Sequence, residues 1–232
     1  LGEFEVPNPT GSVVLRPLTA GTPMVIGGTT GTTLTQDAVT AGIAAGTLRI
    51  GSIGRTAGTS LGGATTTGES AAGTITIQGL NLLGSAVGTL VLESGTGSIT
   101  QTAAGVLQVN ALATAVVDGG SVVLNQALNF VNTIAHIARL SDTTLGSQTG
   151  TYQLTSGSTV TVSSLGSATL PLIGVRDSGA TAGLPANAAV VTSGGNVTLV
   201  STASDTIVIN SPLVSTDAVV TLTSAGAITN TA

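Results

Sequence analysis

The sequence predicts an all-β chain built as a parallel β-helix, a solenoid of stacked coils. Three observations carry that expectation. Short packets alternate β-branched and small polar residues, the packets are opened by glycine at a near-constant interval, and large aromatics are almost missing. Aromatic residues make up 1% of the 232 residues, as Phe4, Phe130 and Tyr152. A β-sandwich, the alternative fold for such a chain, normally fills a broad core with large side chains. Val, Ile, Leu and Ala suffice for the narrow interior of a coil.

The alternation is clearest in Thr74–Ile77, Leu90–Leu92, Thr159–Val162 and Thr206–Ile209. Branching at Cβ suits the pleated backbone. Successive side chains on a strand point to opposite sides, so Ile75 and Ile77 can face inward while Thr74 and Thr76 meet water. The packets open at Gly46, Gly73, Gly88, Gly97, Gly120 and Gly195. Gly73 to Gly97 spans 24 residues and Gly97 to Gly120 spans 23, a period that signals stacked repeats. A longer echo relates Leu92–Ala103 to Leu222–Ala232, with one residue fewer in the turn.

Other stretches fit less neatly. Residues 1–45 hold Val13–Leu15, Met24–Ile26 and Thr33–Thr35 at uneven spacing, and read as irregular first coils. Leu1–Phe4 reads as a vector-derived remnant. Residues 46–232 read as the β-helix repeat region. Ala127–Leu140 has apolar residues near helical spacing, but its β surroundings favour a strand. Gly54–Ala72 and Ser141–Gly150 are rich in Gly, Thr and Ser and read as loops leaving the coil.

Charge restricts the partners. Charged residues are only 6% of the chain, the net charge is −5, and all five basic residues are arginines. Nucleic-acid binding needs a basic stripe against phosphates, and none exists here. Mean hydropathy is +0.54, yet the apolar residues come in short packets well below the ~18 a spanning helix needs. No membrane insertion is expected. Absence of cysteine suits a chain exported unfolded. Leu1–Thr10 carries no basic region of a signal peptide.

Candidate chemistry is sparse. Gly58–Gly62 matches G-x-S-x-G around Ser60, but the motif works on a strand-to-helix elbow, and neither flank suggests one. His136 is the only histidine and lies in an apolar packet. One histidine and no cysteine exclude the usual zinc sets. Asp118 and Asp177 sit in Gly-rich turns that do not extend to a calcium loop. Arg49, Arg55 and Glu69 are the nearest approach to a polysaccharide-lyase cluster, and read more simply as scattered solubilising charge. Asn196–Thr198 is a glycosylation sequon. No catalytic residue, cofactor or metal is expected, and the chain does not read as an enzyme. A recurrent Thr-x-Thr pattern raises an ice-binding face, with spacing too uneven for a flat lattice.

The runs Gly88–Ala113, "GTLVLESGTGSITQTAAGVLQVNALA", and Gly119–Ala135, "GGSVVLNQALNFVNTIA", resemble the repeat region of filamentous-haemagglutinin-like exoproteins. Pro17–Gly28, "PLTAGTPMVIGG", resembles a spacer between repeat blocks in such proteins. The resemblance implies a right-handed β-helix and secretion by the two-partner route through an outer-membrane pore. It also implies a place on the surface of a Gram-negative bacterium. The expected function is a structural shaft of a secreted adhesin. The alternatives are direct binding of a host glycan or matrix protein by loops 54–72 and 141–150, and a polysaccharide-active enzyme. A coil segment with two bare edges is also expected to associate end to end.

Overall fold

A computed structural model describes residues 8–28, 34–54, 60–61, 64–65, 70–117, 120–139, 150–163, 190–193, 196–202, 205–211, 213–216 and 219–231. The chain begins with β1 (Asn8–Leu15), β2 (Met24–Gly27), α1 (Gln36–Gly42), β3 (Ala45–Ser52), β4 (Ser60–Leu61), β5 (Ala64–Thr65) and β6 (Ile75–Asn81). It continues through β7 (Thr89–Ser94), β8 (Ile99–Gln101), β9 (Leu107–Val117), β10 (Val122–Leu124), β11 (Phe130–Arg139), β12 (Tyr152–Ser156) and β13 (Val160–Val162). The last elements are β14 (Val190–Ser193), β15 (Val197–Ser201), β16 (Ile207–Ile209), β17 (Leu213–Thr216), β18 (Val220–Ser224) and β19 (Ile228–Asn230).

The molecule is mostly β, and its large sheet is parallel throughout and nearly closed around one apolar core. β4 and β5 alone pair antiparallel among the described strands. Parallel pairing removes the β-sandwich, whose sheets are antiparallel.

Pairing runs in two series. In the first wall, β2, β6, β8, β10, β12, β15 and β18 follow one another. Their register stacks Met24, Ile75, Ile99, Val122, Tyr152, Val197 and Val220 in one line. In the second wall, β1, β3, β7, β9 and β11 follow one another. There the pairing divides: Thr133–Ile134 of β11 carries β13, β16 and β19, and His136–Ile137 carries β14 and β17. This wall stacks Val13, Leu48, Leu90, Leu112, Ile134, Val162 and Ile209. Like side chains thus pack on like, and each buried Val, Leu or Ile contributes roughly 1.5–3 kcal/mol.

The glycine interval marks this stacking. Gly73, Gly97 and Gly120 each lie two residues before a first-wall strand. Backbones meet closely there: a Cβ on Gly97 would lie 2.7 Å from the Thr74 nitrogen. Side-chain bonds across the stack have sequence separations of 22, 23 and 24 residues, as in Asn129 to Leu107, Ser98 to Ser121, and Thr96 to Ala72. The alternation also holds. Ile75, Ile77, Val160, Val162 and Ile207 are buried, with Thr76 and Thr161 half-buried on the other side.

Several expectations change. Within residues 1–45 a helix, α1, stands where strands alone were read. Thr35 caps it by accepting from the Ala38 N–H at 3.2 Å, and Asp37 sits in its first turn, as helix starts favour. Leu34 contributes only a single bridge, to Ile26. The 54–72 stretch contains the β4–β5 hairpin and ends with Ala72 buried in the core. Of the 141–150 loop only Gly150 is described, and the echo lands differently than its likeness suggests. Leu92–Gln101 crosses from β7 in the second wall to β8 in the first, whereas Leu222–Asn230 crosses from β18 in the first to β19 in the second. The echo repeats a strand–turn–strand corner, not a whole coil. The strand favoured for Ala127–Leu140 over its helical spacing is present as β11, Phe130–Arg139.

Candidate functional site

Where they are described, the residues singled out from the sequence lie on separate elements. Ser60 lies on β4, opposite Thr65 of β5, so the chain after it turns back as a hairpin and no helix follows. His136 holds a register position on β11 between Thr114 and Val190. Asp118, Asp177, Arg55 and Glu69 lie outside the described residues. Asn196 is exposed, and its side-chain carbonyl accepts from the Val219 N–H at 3.0 Å. Among the described residues no group of three His, Asp or Glu side chains is placed to hold a metal. No helix among them is long and apolar enough to cross a membrane.

Arg49 corrects its reading as a solubilising charge. Its side chain is 2% exposed and that of Glu93 is fully buried, with Nη1 donating to Oε2 at 3.2 Å. Leu48 and Ile50 point into the main core, so strand alternation sends Arg49 to the opposite side. There Ile53, Val91, Ala113, Ala115 and Ala135 form a second, small apolar cluster. Burial of two charges is costly unless they pair well, and the pair joins consecutive strands β3 and β7. Gly51, the ladder partner of Glu93, adopts φ +88° against the Glu93 carbonyl, a conformation and a spacing that exclude a side chain.

A polar corner lies where the first wall turns into the second. Asn129 is fully buried. Its Nδ2 donates to the carbonyl of Leu124 and to that of Thr155, each at 3.1 Å, and its Oδ1 accepts from the Leu107 N–H at 2.9 Å. Gln101 faces it amide to amide, donating to Oδ1 at 2.7 Å and accepting from Nδ2 at 3.1 Å. One side chain therefore joins the strand-ends of three successive levels. Serines continue the corner. Ser156, Ser201 and Ser224 stack in register. Ser201 donates to the Ser158 carbonyl at 3.1 Å and Ser224 to the Asp205 carbonyl at 2.6 Å. A buried backbone carbonyl left bare is costly, and these hydroxyls satisfy several.

Tyr152 occupies an inward position of the first wall and is fully buried. Burial pushes its phenol well above the ordinary value of 10, and a hydrogen bond with Thr114 acts the other way. Its ring fills the core at a level where the other stacked positions carry aliphatic side chains.

Outward from the first wall stands a row of Thr76, Thr100, Val123, Gln153, Thr198 and Thr221. None is charged. Sequence reasoning identified the threonines but missed Asn129, Glu93 and Tyr152 as partners. Glu93 had one legible signal: it lies in a strand packet 44 residues, close to two periods, after Arg49. Asn129 had none, because a buried asparagine is written like any turn asparagine. The arrangement binds its own backbone and holds successive levels together. No protein-family model, no curated protein and no solved structure matches this chain.

Proposed function

We propose that this chain is a right-handed parallel β-helix and serves as a shaft segment of a secreted adhesin on a bacterial surface. One observation carries the reading. A single register line runs from Met24 to Val220 through every strand of the first wall. Three of its steps, Ile75 to Ile99, Ile99 to Val122 and Val197 to Val220, span 24, 23 and 23 residues, as coils of near-constant length would. Crossovers between parallel strands are right-handed in nearly all proteins, in agreement with the resemblance drawn from Gly88–Ala135. At about 4.8 Å per level, the line from Val13 to Asn230 makes a shaft of roughly 34 Å. Its interior polar groups serve the stack itself, as a spacer requires. Secretion through an outer-membrane pore and a surface location rest on the sequence resemblance.

A second reading, binding of a host glycan or matrix protein by loops 54–72 and 141–150, draws support from the β4–β5 hairpin, which stands apart from the large sheet. Deleting residues 99–121 removes one level while keeping the register. Bacteria displaying the shortened protein should adhere to host-cell monolayers as before. Loss of adherence on that deletion would sink the spacer reading, and loss on deleting the two loops alone would favour direct binding.

A further inference from the structure

We propose that residues 34–43 cap the amino-terminal level of the stack, so that coils add on its carboxy-terminal side only and any chain preceding this level joins as a separate unit, not as a further coil. The inference rests on the stacked-coil reading and departs from the expectation of two bare edges.

The argument begins with the bonds a preceding coil would have to make. In a parallel ladder an inward residue donates to the carbonyl just before its partner on the next level. Met24, opposite Ile75, donates in this way to Thr74 at 2.9 Å. β2 is the first strand of its wall, and its outer edge is already taken by this chain. Leu34, opposite Ile26, donates to the Val25 carbonyl at 3.1 Å, and its own carbonyl accepts from the Gly27 N–H at 2.8 Å. Leu34 therefore stands to Ile26 as Met24 stands to Ile75, in the place of a residue from a preceding coil. The local sequence directs this. Gly27 and Gly28 adopt φ of 75° and 72° directly at the end of β2, turning the chain out of the wall.

The end of β6 is closed by a side chain. Leu80 and Leu82 donate forward, to Val106 and Gln108, each at 2.8 Å, so the N–H and carbonyl of Asn81 between them face backward. The Gln36 amide meets both: it donates to the Asn81 carbonyl at 2.7 Å and accepts from the Asn81 N–H at 2.8 Å. One glutamine of α1 thus supplies the two bonds of an absent strand. The same segment seals the core. Val39 of α1 is fully buried, and Ile43, Met24 and Ile26 join it in the main cluster. A level covered from one side only looks different, with Val220 and Ile228 at 40% and 49% exposure. In the second wall β1 has a register break between Asn8 and Ser12 and includes Pro9, which has no N–H. Sheets commonly protect an edge with a helix or loop, and stacked repeats need terminal caps. The amino-terminal level has both devices, so the ladder cannot be extended backward through it.

Two whole chains joined in tandem test this. Spin labels are placed at Gln153→Cys of the upstream copy and Thr76→Cys of the downstream copy. A ladder running on through the junction sets them four steps apart, by way of Thr198, Thr221 and Val25, in a narrow distribution near about 19 Å. The cap predicts a broad distribution with no peak there. Thr76→Cys with Thr198→Cys in a single chain is also four steps and serves as the control. A narrow distance near 19 Å across the junction overturns the cap and leaves the stack standing; its absence from the single chain defeats the stack reading itself. Hydrogen exchange gives a second readout in the 232-residue chain. Gln36→Ala removes both bonds to Asn81, so the Asn81 amide should exchange roughly tenfold faster or more, with the Ile99 amide unchanged. An Asn81 amide equally slow in the variant would mean that Gln36 does not close this edge, and would overturn the cap as well.

Discussion

Val122 and Val220 occupy the same line of the first wall, on strands of the same character, and their surroundings differ completely. Val122 is fully buried and donates its N–H to Thr151; Val220 is 40% exposed. Ile207 and Ile228 repeat the contrast in the second wall, from fully buried to 49% exposed. The strands themselves are too short to be stable alone. What differs is a neighbour on both sides. On the proposed coil reading, stability is a sum of level-to-level interfaces, as in stacked repeats. The interior owes its rigidity to being flanked, and the last level is held from one side only.

Substitutions of matched residues test that contrast, and the largest effect is expected at the polar corner. Asn129→Leu leaves the Leu107 N–H and the Leu124 and Thr155 carbonyls without their partner inside the stack, and Gln101 without its facing amide. It should cost about 4 kcal/mol or more, since each buried orphan costs about 1–3. Asn196→Ala, which frees one N–H at the exposed level, should cost about 1 kcal/mol or less. Urea midpoints of the two variants measure the difference, and equal losses would deny any distinction between inner and outer levels.

The buried ion pair comes next. Glu93→Gln strips Arg49 of its counter-charge and should destabilise by about 3–5 kcal/mol. Replacing both residues together, as Arg49→Met with Glu93→Leu, should recover most of that loss, because two desolvated charges disappear at once. A double variant as unstable as the single one would mean that the pair stabilises the fold outright. Leu90→Ala, in the middle of the second wall, should cost about 2–5 kcal/mol. Leu222→Ala, on the last level, should cost about 1 kcal/mol, for lack of a closed cavity.

Tyr152 gives a smaller effect with a definite sign. Its phenol is held above the ordinary value of 10 in the folded chain. Its contribution is complete below about pH 10 and is lost as pH rises through and beyond that value, because the unfolded chain ionises first. The chain has no lysine, no cysteine and one tyrosine, so no other side chain titrates in that window. Tyr152→Phe should flatten the fall in melting temperature above pH 10. A fall of equal steepness in the variant would count against a buried phenol.

The sequence was most legible where the structure is most regular. The Gly73, Gly97 and Gly120 interval is the step from β6 to β8 to β10, and at Gly73 and Gly97 the stacked turns leave no room for a Cβ. Alternation identified the inward faces of β6, β13 and β16, since burial acts on every second residue. Legibility failed where one residue answers to another far along the chain. α1 was missed because its helical pattern spans seven residues, too few for periodicity to show. Arg49 read as a surface charge because only the ladder brings Glu93 beside it. β11 carried a helical spacing, and its parallel neighbours β9 and β13 overrode it.

The central claim is that levels stack in a line, and distance measurement tests it most directly. With no native cysteine, spin labels can be placed by substitution alone. Thr76 and Thr198 are four steps apart in the outward row, and Thr76 and Thr221 five. The account predicts separations of about 19 Å and about 24 Å, rising by one strand spacing per step. A Thr76–Thr221 distance no longer than that from Thr76 to Thr198 would show a wall curving back on itself, and would contradict the stack.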